Sequence, residues 1–149
     1  MDYGIFRGRL SIVCIGNELN GDDGAGRLVY VRLKRLRSAQ VIYAHTAPEN
    51  FLDEIIAFRP HSVVVIDAAD YGGTPGEIRL LPVKAVQSAH FSTHRAPLKL
   101  FISQLGEHGL TVNIVGIQVM NTCLGEPLSG PVKKSVDNLV KKILSSTPE

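Results

Sequence analysis

The run SVVVID at residues 62–67 constrains the fold more than any other part of the sequence. Its middle is β-branched and carries no polar residue on either alternating face, which is typical of a strand buried on both sides. A second run of this kind, LSIVCI at residues 10–15, is apolar except for Ser11. Strands covered on both faces belong to parallel sheets with helices above and below, so the two runs favour an α/β fold.

Stretches with helical spacing of apolar residues separate the predicted strands. Strands are expected at residues 10–15, 41–44, 62–67, 77–81 and 111–115, with helices after the glycine-rich stretch and near Pro48, Pro97 and Pro131. The fourth strand follows the third through the turn TPGE (74–77), so we expect it to run antiparallel at an edge. We predict a three-layer sandwich: a twisted, mostly parallel five-stranded sheet with helices on both faces, formed by residues 1–149 as a single domain.

Composition narrows the classes of function. A net charge of +2 gives no support to nucleic-acid binding, and the basic residues at helix ends are read as solvated faces. No segment is long and apolar enough to span a membrane, and the first ten residues lack the pattern of a signal peptide. Two separate cysteines make no disulfide framework, so Cys14 is expected in the core, Cys123 in a loop and the protein in the cytoplasm.

The stretch GNELNGDDGAG at residues 16–26 follows the first strand and has the outline of a phosphate-binding loop. A phosphate loop needs a lysine and a hydroxyl where this chain has Asp22 and Asp23, and two carboxylates repel phosphate. The glycines also lack the GxGxxG spacing of a dinucleotide site. The loop is therefore predicted to serve a cation rather than an anion, with helix capping as the alternative for either aspartate.

Ligands of α/β sheets bind outside the carboxyl ends of the strands, and acidic residues stand at two of those ends. Asp23 follows the first strand, and Asp67 ends the third, where it could equally form a turn or be replaced by Asp70. Two carboxylates and an imidazole would make a site for a divalent metal such as nickel or zinc.

Histidine could complete that site. Spacing alone does not choose a ligand, although His90 and His94 are four residues apart in a stretch that does not read as helix. His61 and His108 lie at predicted helix ends and are expected at the surface. Neither an HExxH zinc-protease motif nor a GxSxG serine-hydrolase elbow is present.

Five segments of the sequence stand out together: GNELNGDDGAG (16–26), TAPEN (46–50), VVVIDAADYGGTPGEIRLL (63–81), STHRAPL (92–98) and VGIQ (115–118). They resemble the hydrogenase maturation endopeptidases, the proteases that trim the large-subunit precursor of nickel–iron hydrogenases. They occur in the family's order and, with the sequence between them, cover residues 10 to about 144. The TAPEN, DAADYGGTPGEIR and THRAPL parts lean toward the branch that acts on formate-linked, hydrogen-evolving hydrogenases.

The resemblance implies that Asp23, Asp67 and His94 contact a metal and carry the reaction, which ranks Asp67 above Asp70 and His94 above His90. It leaves Asp22 to support the turn and the helix start. The sequence departs from the family at two points. Ala44-His45 stands where relatives commonly have two glycines, and Val119 stands where many have a proline. No role is assigned to His45.

The implied activity is removal of a C-terminal extension from a folded precursor, after a basic residue that follows the precursor's last nickel-binding cysteine. The nickel is carried by that precursor and is not expected as a permanent metal of the enzyme, so it would act as a recognition anchor. The expected partner is the hydrogenase large-subunit precursor, with the enzyme itself a monomer. Two alternatives stay open: a nickel-binding chaperone or sensor without peptidase activity, and a small-molecule hydrolase on a similar scaffold.

Overall fold

The computed structural model describes residues 2–83 and 95–147, and its centre is a five-stranded sheet. The strands stand in the order β2-β1-β3-β5-β4, in which β2, β1, β3 and β5 are parallel and β4 pairs antiparallel with β5. The predicted mostly parallel sheet with an antiparallel edge strand is confirmed. The strands are β1 (Leu10–Cys14), β2 (Ala39–Tyr43), β3 (Ser62–Ala69), β4 (Ile78–Leu81) and β5 (Thr111–Gln118).

Helices cover both faces of this sheet, as predicted. One core lies between the sheet and helices α1 and α4, and the other between the sheet and helices α2 and α3. Short 3-10 turns at Gly21–Gly24 and Pro48–Phe51 lead into α1 and α2. The helices are α1 (Ala25–Leu33), α2 (Leu52–Phe58), α3 (Arg95–Glu107) and α4 (Gly130–Ser146).

Two strands run further than the sequence pattern predicts. β3 continues through Asp67 to Ala69, and β5 continues through Gly116 to Gln118. Residues 67–69 pair with residues 116–118, and Gly116 also pairs with Arg79 of β4. Polar residues and a glycine therefore remain in the strands because hydrogen-bonding partners on neighbouring strands are in place, which local propensity does not register.

Several smaller predictions are confirmed. Cys14 is buried, Cys123 is exposed, and both are free thiols. His61 and His108 are exposed. Across residues 2–83 and 95–147, no helix has both the length and the apolar character needed to cross a membrane.

Candidate functional site

The glycine loop leaves β1 at the carboxyl edge of the sheet and folds back on itself. The Asn17 amide donates to the Asp23 carbonyl (2.9 Å), and the Asp23 amide donates to the Asn20 carbonyl (3.1 Å). A Cβ atom on Gly16 would stand 2.3 Å from the Asp23 carbonyl oxygen, so only glycine permits this closure. The loop thus places Asp23, which is half-buried, directly above the end of β1.

The structure brings the Asp23 turn and the Asp67 strand together. Cys14 pairs with Ile66, and the Ile15 amide donates to the Ile66 carbonyl (2.9 Å), so Asp67 lies just beyond the paired end of β1. Some Cα atoms of the turn Gly21–Gly24 approach those of β3 within 8 Å. The Asp67 side chain is fully buried, inside a strand rather than in a turn. The turn that carries Asp23 and the strand that carries Asp67 therefore lie together at the carboxyl edge of neighbouring parallel strands.

Asp70 occupies a different environment from Asp67. It is exposed, and its Oδ1 accepts hydrogen bonds from the Gly72 amide (3.2 Å) and from Nε2 of Gln118 (3.1 Å). The side chain of Gln118 is almost completely buried, and its Oε1 accepts from the Tyr71 amide (3.0 Å) and the Gly73 amide (3.1 Å). Gln118 thus holds the loop that follows β3, a role that sequence reasoning missed because its partners lie more than 40 residues away.

Asp22 does not serve the helix start, contrary to expectation. No side-chain cap is present at the turn Gly21–Gly24 or at α1. The Asp22 carboxylate is fully buried and instead accepts hydrogen bonds from the loop that joins β5 to α4. The two adjacent aspartates therefore differ, with Asp22 committed to internal hydrogen bonds and Asp23 at the half-buried edge.

The rim of the site beside β2 carries a cluster of polar and aromatic side chains. The Tyr43 hydroxyl donates to Oε2 of Glu18 (2.7 Å), and this hydrogen bond lowers the pKa of the Glu18 carboxyl. Burial, followed by the same hydrogen bond, raises the pKa of the Tyr43 phenol. The exposed His45 ring packs against Tyr43 in a tilted arrangement, with centroids 4.2 Å apart, and the His45 backbone has a left-handed φ of 53°. A glycine adopts this φ without strain, whereas a histidine does not. The departure from the family's two glycines at Ala44-His45 therefore has a cost in backbone strain.

His90 and His94 lie outside the described residues, so the third predicted ligand has no geometry here. Within residues 2–83 and 95–147, no three His, Cys, Asp or Glu side chains are grouped as a metal site would require. The described helix α3 begins at Arg95, directly after His94 in sequence, and packs on the turn Pro48–Phe51 of the TAPEN segment. Asp23 and Asp67 are the described members of the predicted ligand set.

Comparison with known proteins identifies the family. A family model described as hydrogenase maturation protease, HycI, matches residues 28–146. The chain is 33% identical over 135 residues to the hydrogenase 3 maturation protease of Escherichia coli K12, covering 89% of this chain and 86% of that protein.

Two solved structures extend this agreement to three dimensions. The [NiFe] hydrogenase maturation protease HycI of Thermococcus kodakarensis superposes with a TM-score of 0.81 at 34% identity, covering 93% of each chain. The solution structure of the endopeptidase HycI from Escherichia coli gives a TM-score of 0.81 at 30% identity, covering 92% of this chain and 90% of that one. The chain therefore belongs to the hydrogenase maturation protease family and is a peptidase.

Proposed function

We propose that the protein is an endopeptidase that removes the C-terminal extension of a nickel-loaded [NiFe]-hydrogenase large-subunit precursor, with the precursor's nickel as the anchor for recognition. The observation that carries this proposal is the approach of the turn that holds Asp23 to β3, the strand that holds Asp67, at the carboxyl edge of the sheet. Carboxylates at the strand ends of an α/β sheet lie where such folds bind their ligands.

The alternation of side chains along β3 supports His94 as the third metal contact. Val63 and Val65 face the core that α2 and α3 cover, and Asp67 follows at the same two-residue spacing. Asp67 therefore faces the layer that contains α3. His94 directly precedes α3 in sequence, and this adjacency to a helix of the layer that Asp67 faces supports His94 as the third contact.

Three protein ligands form an open coordination set, which leaves positions for thiolates of the precursor and for water. The nickel is cargo of the substrate in this proposal, so precursor without nickel offers the enzyme no anchor. Capture of the metal would hold the scissile peptide beside it, where the metal polarises the carbonyl group or the attacking water. Attack of water on the carbonyl carbon breaks the C–N bond and releases the extension with a new amino terminus.

Exposed apolar side chains beside the site suit a protein substrate. Leu19 of the glycine loop is 63% exposed, and Met120 and Leu124 of the β5–α4 loop are 62% and 78% exposed. The two loops are joined by a hydrogen bond from the Gly125 amide to the Leu19 carbonyl (2.8 Å). Large apolar residues exposed together at the edge of a site are a feature of surfaces that bind proteins.

The decisive experiment mixes the purified protein with nickel-loaded and nickel-free forms of one precursor. Intact mass spectrometry then measures loss of the C-terminal extension over time. We expect trimming of the nickel-loaded form alone. Equal cleavage of both forms would refute the role of nickel as anchor, and cleavage of neither would refute the proposed substrate.

Variants test the residues. Asp23→Asn, Asp67→Asn and His94→Ala each remove a proposed metal contact and should lower the cleavage rate by about 10²-fold or more. Asp70→Asn is the matched control, because it keeps an oxygen acceptor in the loop after β3 and lies outside the proposed ligand set. Full activity of any of the three ligand variants would overturn that residue's assignment.

Calorimetry separates the protease from a nickel chaperone or sensor. An enzyme that meets nickel only on its substrate should bind the free ion weakly, whereas a chaperone should bind it with sub-micromolar affinity.

We further propose that the enzyme acts in the cytoplasm as a monomer. Its two unpaired cysteines fit a reducing compartment.

A further inference from the structure

The side chain of Asp22 accepts four hydrogen bonds, and all four come from one distant segment. Its Oδ2 accepts from the Met120 amide (2.8 Å), the Asn121 amide (3.0 Å) and the Ser129 hydroxyl (2.9 Å). Its Oδ1 accepts from the Ser129 amide (2.7 Å). The donors all belong to the loop between β5 and α4, so a single fully buried carboxylate is hydrogen-bonded to both ends of that loop.

The backbone of the same turn is attached to the same loop. The Asp22 amide donates to the Asn121 carbonyl (2.8 Å). Gly21, with a positive φ of 55°, approaches that carbonyl so closely that a Cβ atom would stand 2.4 Å from its oxygen. Main chain and side chain therefore join the turn Gly21–Gly24 to the β5–α4 loop as one unit.

Asp22 is adjacent in sequence to Asp23, so the carboxylate of one residue fixes the backbone that carries the other. The β5–α4 loop has no helix or strand of its own between Gln118 and Gly130, and most of its residues are exposed. Buried hydrogen bonds to an ionised carboxylate are among the stronger ones in proteins, and they can hold such a loop in one place.

We propose that Asp22 is a positioning residue: it touches neither substrate nor metal, and by holding the β5–α4 loop it fixes the place of Asp23 beside Asp67. This inference rests on the proposed function for Asp23. A displacement of about 1 Å in a reacting group can cost 10²-fold in rate, so loss of the Asp22 contacts should lower cleavage even in molecules that remain folded.

Two variants remove the contacts to different extents. Asp22→Asn keeps the shape but points amide hydrogens at backbone N–H donors, whereas Ser129→Ala removes only the hydroxyl bond and is the milder change. Leu139→Ala, in the buried face of α4, serves as a control that loses stability without removing any hydrogen bond of Asp22. A purely structural role for Asp22 would give Asp22→Asn and the control the same activity per folded molecule.

The first measurement needs no substrate. Amide hydrogen exchange should become about 10-fold to 100-fold faster at Met120, Asn121, Ser129 and Asp23 in Asp22→Asn, and not selectively so in Leu139→Ala. Unchanged exchange at these amides would overturn the proposal.

The second measurement is kcat/KM for nickel-loaded precursor, taken well below each variant's melting temperature. We expect a fall of about 10-fold or more in Asp22→Asn, a smaller fall in Ser129→Ala and none in Leu139→Ala. An Asp22→Asn enzyme as active per folded molecule as the control would refute positioning. A wild-type protein that fails to trim the precursor would refute the proposed function instead, and the exchange result alone would then decide whether Asp22 holds the turn.

Discussion

Replacement of Gln118 by leucine tests whether one buried side chain holds the loop that follows β3. Gln118 is 4% exposed, and its amide group makes four hydrogen bonds within and beside that loop. Leucine has a similar volume but would leave the Tyr71 and Gly73 amides without their acceptor. Gln118→Leu therefore measures what the hydrogen bonds of the Gln118 amide group contribute to stability, separately from the packing of the side chain.

The magnitude follows from the partners. Removal of the acceptor should lower the free energy of unfolding by about 1–1.5 kcal/mol for each of the two half-buried backbone amides. The two bonds that Gln118 donates, to Asp70 and to the Val119 carbonyl, add little, because Asp70 is exposed, Val119 is only half-buried and water can replace the lost donor. The expected loss in free energy of unfolding is about 2–3 kcal/mol, equivalent to a fall of roughly 4–12 °C in Tm for a domain of this size.

Urea denaturation, followed by circular dichroism, measures this loss as a lower midpoint at an unchanged m-value. Gln104→Leu in α3 is the matched control, because Oε1 of Gln104 is buried and accepts no hydrogen bond from the described part of the chain. That substitution should be neutral or stabilising. A loss below about 0.5 kcal/mol for Gln118→Leu, or equal losses for both variants, would refute the reasoning.

Three further predictions concern other parts of the chain. Ellman's reagent should titrate Cys123 alone in the native protein and both cysteines after denaturation, because burial raises the pKa of the Cys14 thiol; two fast thiols would contradict this. Arg59→Gly should raise the free energy of unfolding by about 0.5–1 kcal/mol in the same urea assay, since Arg59 ends α2 with a left-handed φ of 54°. A lower free energy of unfolding in this variant would contradict the prediction. Burial raises the pKa of Tyr71 to about 12. The stabilisation that the neutral Tyr71 phenol provides is therefore complete below pH 10 and is lost as the pH rises toward 12. If Tyr71→Phe lost as much stability at alkaline pH as the wild type, Tyr71 would be excluded as the source of that loss.

Local pattern predicted the layers of the fold but not the ends of its elements. The β-branched centre of β3 and the mainly apolar β1 indicated a doubly covered sheet, and the TPGE turn indicated an antiparallel edge strand. The pattern ended β5 at Val115, because Gly116 and Gln118 have low strand propensity. Pairing with β3 on one side and β4 on the other extends it to Gln118.

Part of the candidate site could likewise be predicted from the sequence, and part of it could not. Residue chemistry and the strand-end rule selected the pair Asp22 and Asp23, with Asp67 or Asp70. The family resemblance then chose Asp23 and Asp67 and added His94. The structure gives Asp67 a buried strand position and Asp70 an exposed loop position, while the assignment of all three site residues stays a prediction.

The sequence by itself determined the α/β architecture, and it predicted the site at the carboxyl edge of the sheet together with the aspartates that could form it. These properties depend on periodicity and on residue chemistry, which are local. Only the tertiary structure assigned Asp22 to the β5–α4 loop and Gln118 to the loop after β3. Their partners lie about 100 and 45 residues away along the chain, and hydrogen bonds over such separations depend on how the strands are ordered in the sheet.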